Sequence, residues 1–320
     1  MIYHQFLPNL HFLNRNNLQN YNEQNRIQYF ADILILIGLL FISAIVFSLL
    51  GALISSALFH IPLSDVMNLI GDTSDTANVG FLKFYNAFAT FGAWLVSAFL
   101  FTQVRSYKVN SLWKFQLPKV RFIWALLPVL FISAVVVSAY LLNLNERLPI
   151  PVSVRSFFNS ANSAKMLENM LQMNNNLDLF INIICIALFP ALFEEIFFRG
   201  TLQPLFSGFF QNHHVGIWLC SLTFALVHLN IDQVMPMMFL ALVLGYLFYY
   251  TKSIYTNILI HFLNNSLAIF AYFYQHNSEI AKQVVEDKFT PNMLSFVLCS
   301  GIIITIFVFI IKQHKLSNNE

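Results

Sequence analysis

The stretch Phe189-Pro190-Ala191-Leu192-Phe193-Glu194-Glu195-Ile196-Phe197-Phe198-Arg199-Gly200 sets two adjacent carboxylates and a guanidinium inside an apolar run. An ionisable side chain within a membrane helix costs roughly 2.5–3.5 kcal/mol on insertion scales, so it needs a partner or a purpose. Glu195 and Arg199 are spaced i, i+4, share a helix face and can neutralise each other. Glu194 lies about 100° around the helix from Glu195 and points elsewhere, which leaves it as the unpaired carboxylate. Pro190, four residues earlier, should kink the helix. The plain structural alternative is a buried ion pair beside one protonated glutamic acid.

Working outward, eight apolar segments have or approach the roughly 20 residues needed to span hydrocarbon. They are 32–58, 79–103, 121–144, 178–198, 214–229, 233–251, 254–275 and 291–311. The composition agrees: 58% of the 320 residues are hydrophobic and 10% charged, against roughly 25% charged in soluble domains. The expected fold is an all-α polytopic membrane bundle of about eight transmembrane helices, with lipid as its main surroundings. It divides into a polar tail (1–31), one transmembrane domain (32–311) with a catalytic core at about 176–275, and a short tail (312–320). A net charge of +2 gives no field that would point to nucleic acid. The first thirty residues lack the apolar core of a signal peptide. Cys185, Cys220 and Cys299 sit in apolar runs without CxxC spacing, so free buried thiols are expected. The segment from Ser163 to Met173 has helical spacing suited to the membrane surface.

Orientation follows the basic residues. Arg15, Arg26, Arg105, Lys108, Lys114, Lys119, Arg121, Lys252, Lys312 and Lys315 fall on one side. Arg147, Arg155, Lys165, Lys282 and Lys288 fall on the other, spread over longer loops. The richer side is expected to be cytoplasmic, and with it both termini.

Two further motifs bear chemistry: Phe224-Ala225-Leu226-Val227-His228 at the end of helix 5, and His261-Phe262-Leu263-Asn264-Asn265 in helix 7. His261 and Asn265 share one face and Asn264 is turned away. A lone histidine in an apolar helix is more often a packing residue than a ligand. Two of them beside a helix-borne glutamate pair reverse that preference. His213 and His214 read as interfacial, and the other histidines carry no pattern. The chain has no HExxH, GxGD or GxSxG.

The order EExxxR, FxxxH, HxxxN on successive membrane helices resembles the CPBP family, which contains the CAAX prenyl endoproteases and the bacteriocin-processing or Abi proteins. Glu194, Glu195, Arg199, Phe224, His228, His261 and Asn265 fill the motif without substitution, over roughly residues 176–275. The resemblance implies an intramembrane peptidase acting on a peptide or protein substrate in a bacterial cytoplasmic membrane. Glu194 would be the general base, with His228, His261 and Asn265 assisting. Residue chemistry supports these roles: a desolvated carboxylate suits water activation, and an asparagine N–H suits an oxyanion. Glu194, His228 and His261 are also a possible zinc set with one open position. A scheme without metal is preferred, because no single helix supplies two ligands as in HExxH.

Two other readings compete: a catalytically inactive scaffold or immunity protein of the same fold, and a proton-coupled transporter. Against the transporter, helices 1–3 show no intramembrane charge to mirror helices 4–7. Ideal helix geometry raises one conflict. It places Glu194 near the cytoplasmic end of helix 4 and His228 near the outer end of helix 5. They meet only if the hairpin of helices 5 and 6 stops inside the membrane and helix 4 is kinked or deeper than drawn.

Overall fold

The computed structural model describes residues 15–71, 78–158, 161–277 and 291–319. The loop with Lys282 and Lys288, the acidic pair Asp72 and Asp75, and residues 1–14 of the N-terminal tail lie outside them. Among the described residues the regular elements are helices, with no strand. Seven are long and apolar enough to cross a membrane: α1 (Gln24–Phe59), α2 (Val79–Val104), α3 (Ile123–Glu146), α4 (Asn176–Phe209), α6 (Ile231–Thr251), α7 (Ile254–Gln275) and α8 (Met293–Leu316). The eighth apolar helix, α5 (His213–Val227), has only 15 residues, too few for a full span. The protein is a multi-pass integral membrane bundle. Bulky side chains such as Phe41, Leu49, Ile132, Ile304 and Val308 are exposed on its flanks, as lipid contact demands.

α4 runs well past the expected limit at 198, to Phe209. Arg199, Thr201 and Gln203 lie beyond that limit, and all three are buried. Arg199 donates to the Ala241 carbonyl, Gln203 to the Gly245 carbonyl, and Thr201 accepts from the Trp113 indole N–H. This length removes the depth conflict. Glu194 is fifteen residues from the end of α4 and His228 fifteen from the start of α5. At 1.5 Å per residue both sit about 22 Å from the same end of the bundle. Gly216 lets α5 start directly against α4, since a Cβ there would lie 2.5 Å from the Ser207 backbone nitrogen.

The expected disturbance at Pro190 takes a specific form. α4 widens into a π turn over Ile183–Leu188, just before Pro190, and again over Phe198–Leu202, just before Pro204. A proline lacks the N–H and crowds the carbonyl four residues back, and a wider turn relieves both problems.

Two apolar clusters flank α4 and α7. One joins Leu36, Phe101, Trp113, Phe197, Phe198, Phe224 and Ile254. The other joins Leu127, Leu130, Leu244, Leu247, Ile260 and Ile303 from α3, α6, α7 and α8. The ends of the bundle are tied separately. At one end Gln116 donates to the Lys252 carbonyl, and His314 Nδ1 lies 2.9 Å from the Tyr250 carbonyl. At the other, Arg155 pairs with Asp232 at 3.1 Å. Asn145 donates to the Ile231 carbonyl and accepts from the Met235 N–H. The basic loop after α2, Lys252 and the C-terminal lysines therefore share one end, as the charge pattern grouped them.

Three expectations need correction. α1 and α2 do carry ionisable residues, Asp32 and Lys83, both buried. Asp32 pairs with Arg105 and accepts from Tyr107 Oη at 2.9 Å, while Lys83 reaches the Gln172 carbonyl at 3.4 Å. Both stand near helix ends where loop residues can meet them, so neither mirrors the charges of α4. The helix Ala161–Met170 is not purely a surface element, because Met170 and Met173 are buried against the bundle. The three cysteines are free, but only Cys220 is fully buried.

Candidate active site

The two glutamates of α4 have opposite surroundings. Glu195 is fully buried. Its Oε1 accepts from Arg199 Nη1 and from His261 Nδ1, each at 2.8 Å, and its Oε2 accepts from Asn257 Nδ2 at 3.2 Å. A buried carboxylate is tolerable when its lone pairs are filled in this way. Arg199 is held in turn by the Ala241 carbonyl and by the Phe224 ring, whose centroid lies 4.8 Å from the guanidinium carbon. Asn257 makes a second bond, 2.7 Å, to the Leu244 carbonyl. The i, i+4 pairing expected of Glu195 and Arg199 is present.

Glu194 makes no comparable set of bonds. Its Oε2 is 3.8 Å from His261 Nε2, beyond direct hydrogen-bond range and at the separation where a bridging water is the natural question. The geometry fixes the histidine tautomers. Glu195, paired with Arg199, accepts, so His261 Nδ1 carries a proton and the ring turns Nε2 toward Glu194. His228 Nδ1 lies 2.7 Å from the Phe224 carbonyl, which also only accepts, so His228 likewise keeps Nε2 available. The Phe224 ring packs against both imidazoles, with centroid distances of 4.7 Å to His228 and 5.8 Å to His261. His228 itself is exposed at the C-terminal cap of α5, followed by Leu229 in a left-handed conformation.

The structure thus brings Glu194, Glu195, Arg199 and His261 into one contact network, with His228 joined to it through Phe224. Asn265 lies one turn beyond His261 on the same face of α7. It is half-buried, and its amide has no hydrogen-bond partner among the described residues. The zinc alternative fares less well. Among the described residues no three His, Cys, Asp or Glu side chains gather closely enough to hold a metal ion. Glu194, His228 and His261 therefore do not fit one as arranged.

Asn257 was missed in the sequence. It extends the face of His261 and Asn265 by one turn, giving NxxxHxxxN. That spacing was the available signal, but an asparagine so close to the start of an apolar helix looks interfacial.

Residues 176–267 match the family model described as type II CAAX prenyl endopeptidase Rce1-like. The match contains Glu194, Glu195, Arg199, His228, His261 and Asn265, and covers less than a third of the chain. At the level of that family, the matched core is that of an intramembrane protease. No curated protein and no solved structure gives a significant match.

Proposed function

We propose that the chain is an intramembrane endopeptidase that hydrolyses a peptide bond with water activated by Glu194. The observation that carries this reading is the split of the glutamate pair. Glu195 is saturated by Arg199, His261 and Asn257, whereas Glu194 faces His261 Nε2 across 3.8 Å. A carboxylate and an imidazole so placed suit a water held between them.

In this scheme Glu194 takes a proton from the water as its oxygen adds to the scissile carbonyl. Negative charge gathers on the carbonyl oxygen, where the unpartnered Asn265 amide N–H stabilises it. The C–N bond then breaks, and the proton held by Glu194 passes to the leaving amine, directly or through His261 or His228. Glu195 and Arg199 touch no substrate; they hold His261 in the required tautomer and orientation. The family description supports a prenylated CAAX protein as substrate. The basic end of the bundle, with both termini, faces the cytoplasm under the charge rule. Bacterial origin, in keeping with the bacteriocin-processing and Abi branch, is part of the same proposal and rests on the resemblance alone.

The test is cleavage of a farnesylated CAAX peptide by the purified full chain, wild type against Glu194→Gln. Loss of cleavage in the variant is expected. Near-normal cleavage by Glu194→Gln would overturn the mechanism, and absence of cleavage by both would overturn the substrate class.

A further inference from the structure

Away from the glutamates, the basic end of the bundle contains a cavity of about 90 Å³ between α3, α6 and α8. Its polar lining comes from Gln116, Lys119, Lys252, Gln313 and His314. Its other wall is apolar, formed by Val120, Ile123, Phe309 and Ile310. Among the described residues no carboxylate lines the cavity. Asp32, the buried acid at this end, is already engaged by Arg105 and Tyr107.

The positive charge here is built in. Lys114 and Lys252 both adopt left-handed backbone conformations, with φ of 54° and 52°, which are unfavourable for lysine. They are clasped together. Gln116 donates to the Lys252 carbonyl at 2.9 Å, and the Ile254 N–H donates to the Lys114 carbonyl at 3.3 Å. The Lys252 ammonium lies 4.1 Å from the centroid of the Tyr249 ring, and its charge and that of Lys119 both reach His314. Burial, reinforced by Lys114, pushes the Lys252 ammonium down to about 8. Like-charge crowding at one point makes sense if an anion relieves it.

We propose that this cavity binds a phosphate group, carried by an anionic phospholipid whose acyl chain lies along Val120, Ile123, Phe309 and Ile310. The argument is the joining of two chemistries at one site. A basic, amide-rich mouth suits a phosphodiester, and an apolar wall between membrane helices suits a chain. About 90 Å³ is room for several waters at 10–15 Å³ each, and so for a phosphate in their place.

The experiment uses the purified full chain in detergent and follows its melting temperature with short-chain dioctanoyl phosphatidylglycerol, dioctanoyl phosphatidylcholine or inorganic phosphate. Stabilisation by phosphatidylglycerol well above the other two is expected, with an apparent Kd weakened at least tenfold in Lys119→Gln and in Lys252→Asn. Asparagine tolerates the left-handed conformation, so Lys252→Asn removes charge while keeping the turn. Stabilisation by inorganic phosphate equal to that by the lipid would overturn the lipid assignment in favour of free phosphate. Equal stabilisation by phosphatidylcholine, or a phosphatidylglycerol response unchanged in both variants, would overturn the site.

Discussion

Glu194 Oε2 and His261 Nε2 face each other at 3.8 Å, one ångström longer than the 2.8 Å bond from the other nitrogen of the same ring to Glu195. One imidazole thus joins a saturated carboxylate to an unsaturated one. Division of labour follows from that asymmetry, and most of the expected mutational behaviour follows from the division.

Glu194→Gln keeps the shape of the side chain and removes the base. A loss of roughly 10²–10⁴ in kcat is expected, the range of general-base contributions, with a melting temperature close to wild type. Single-turnover cleavage alongside a thermal melt separates the two quantities. A variant that loses both together would place Glu194 among the structural residues.

Arg199→Ala should instead act on stability. It strands the fully buried Glu195 beside His261 and Asn257, and breaking one partner of a buried pair typically costs about 3–5 kcal/mol. A marked fall in melting temperature in detergent is expected. Arg199→Lys should recover only part of it, because an ammonium cannot reproduce the planar fork or its stacking on Phe224. Unchanged melting for Arg199→Ala would contradict the assignment.

Asn257→Leu should leave one Glu195 oxygen and the Leu244 carbonyl unserved and loosen the ring of His261. The expected signature of a positioning residue is a fall in kcat with KM nearly unchanged and a displaced pH–rate profile. A purely structural asparagine would lower melting temperature and leave the pH profile of the remaining activity in place.

Exhaustive chelation should leave cleavage intact, because Glu194, His228 and His261 do not gather as a metal-holding set. Elemental analysis of the active preparation should find no stoichiometric zinc. Zinc close to one per chain, lost and regained together with activity, would overturn the metal-free scheme.

For sidedness, a cysteine placed at Ser111 should react with an impermeant reagent only after cells are opened. Labelling at Ser111 in intact cells would invert the bundle.

Much of the site was legible because it obeys helix periodicity. Glu195 and Arg199 at i, i+4 pair as the spacing requires, and Glu194, one residue away, is turned from that pair. What was not legible depends on tertiary partners. The expected end of α4 at 198 falls short of Thr201 and Gln203, because their hydrogen-bond partners Trp113 and Gly245 come from elsewhere in the chain. Asn257 looks interfacial until Glu195 and Leu244 receive it. Asp32 and Lys83 fall inside the spans expected at 32–58 and 79–103, where no intramembrane charge is expected, and their partners Arg105, Tyr107 and Gln172 come from elsewhere in the chain.

The shortness of α5 has a consequence for hydrolysis itself. Fifteen residues reach about 22 Å, whereas the hydrocarbon core is about 30 Å thick. The turn into α6 lies level with the end of α3, where Asn145 bonds the Ile231 carbonyl and the Met235 N–H, and it carries Asn230, Asp232, Gln233 and the exposed imidazole of His228. These polar groups gather at one end of the bundle, where solvent or headgroups can meet the imidazole. On the proposed activity, the water that the reaction consumes would enter past His228 at that end, rather than through the lipid-facing flanks.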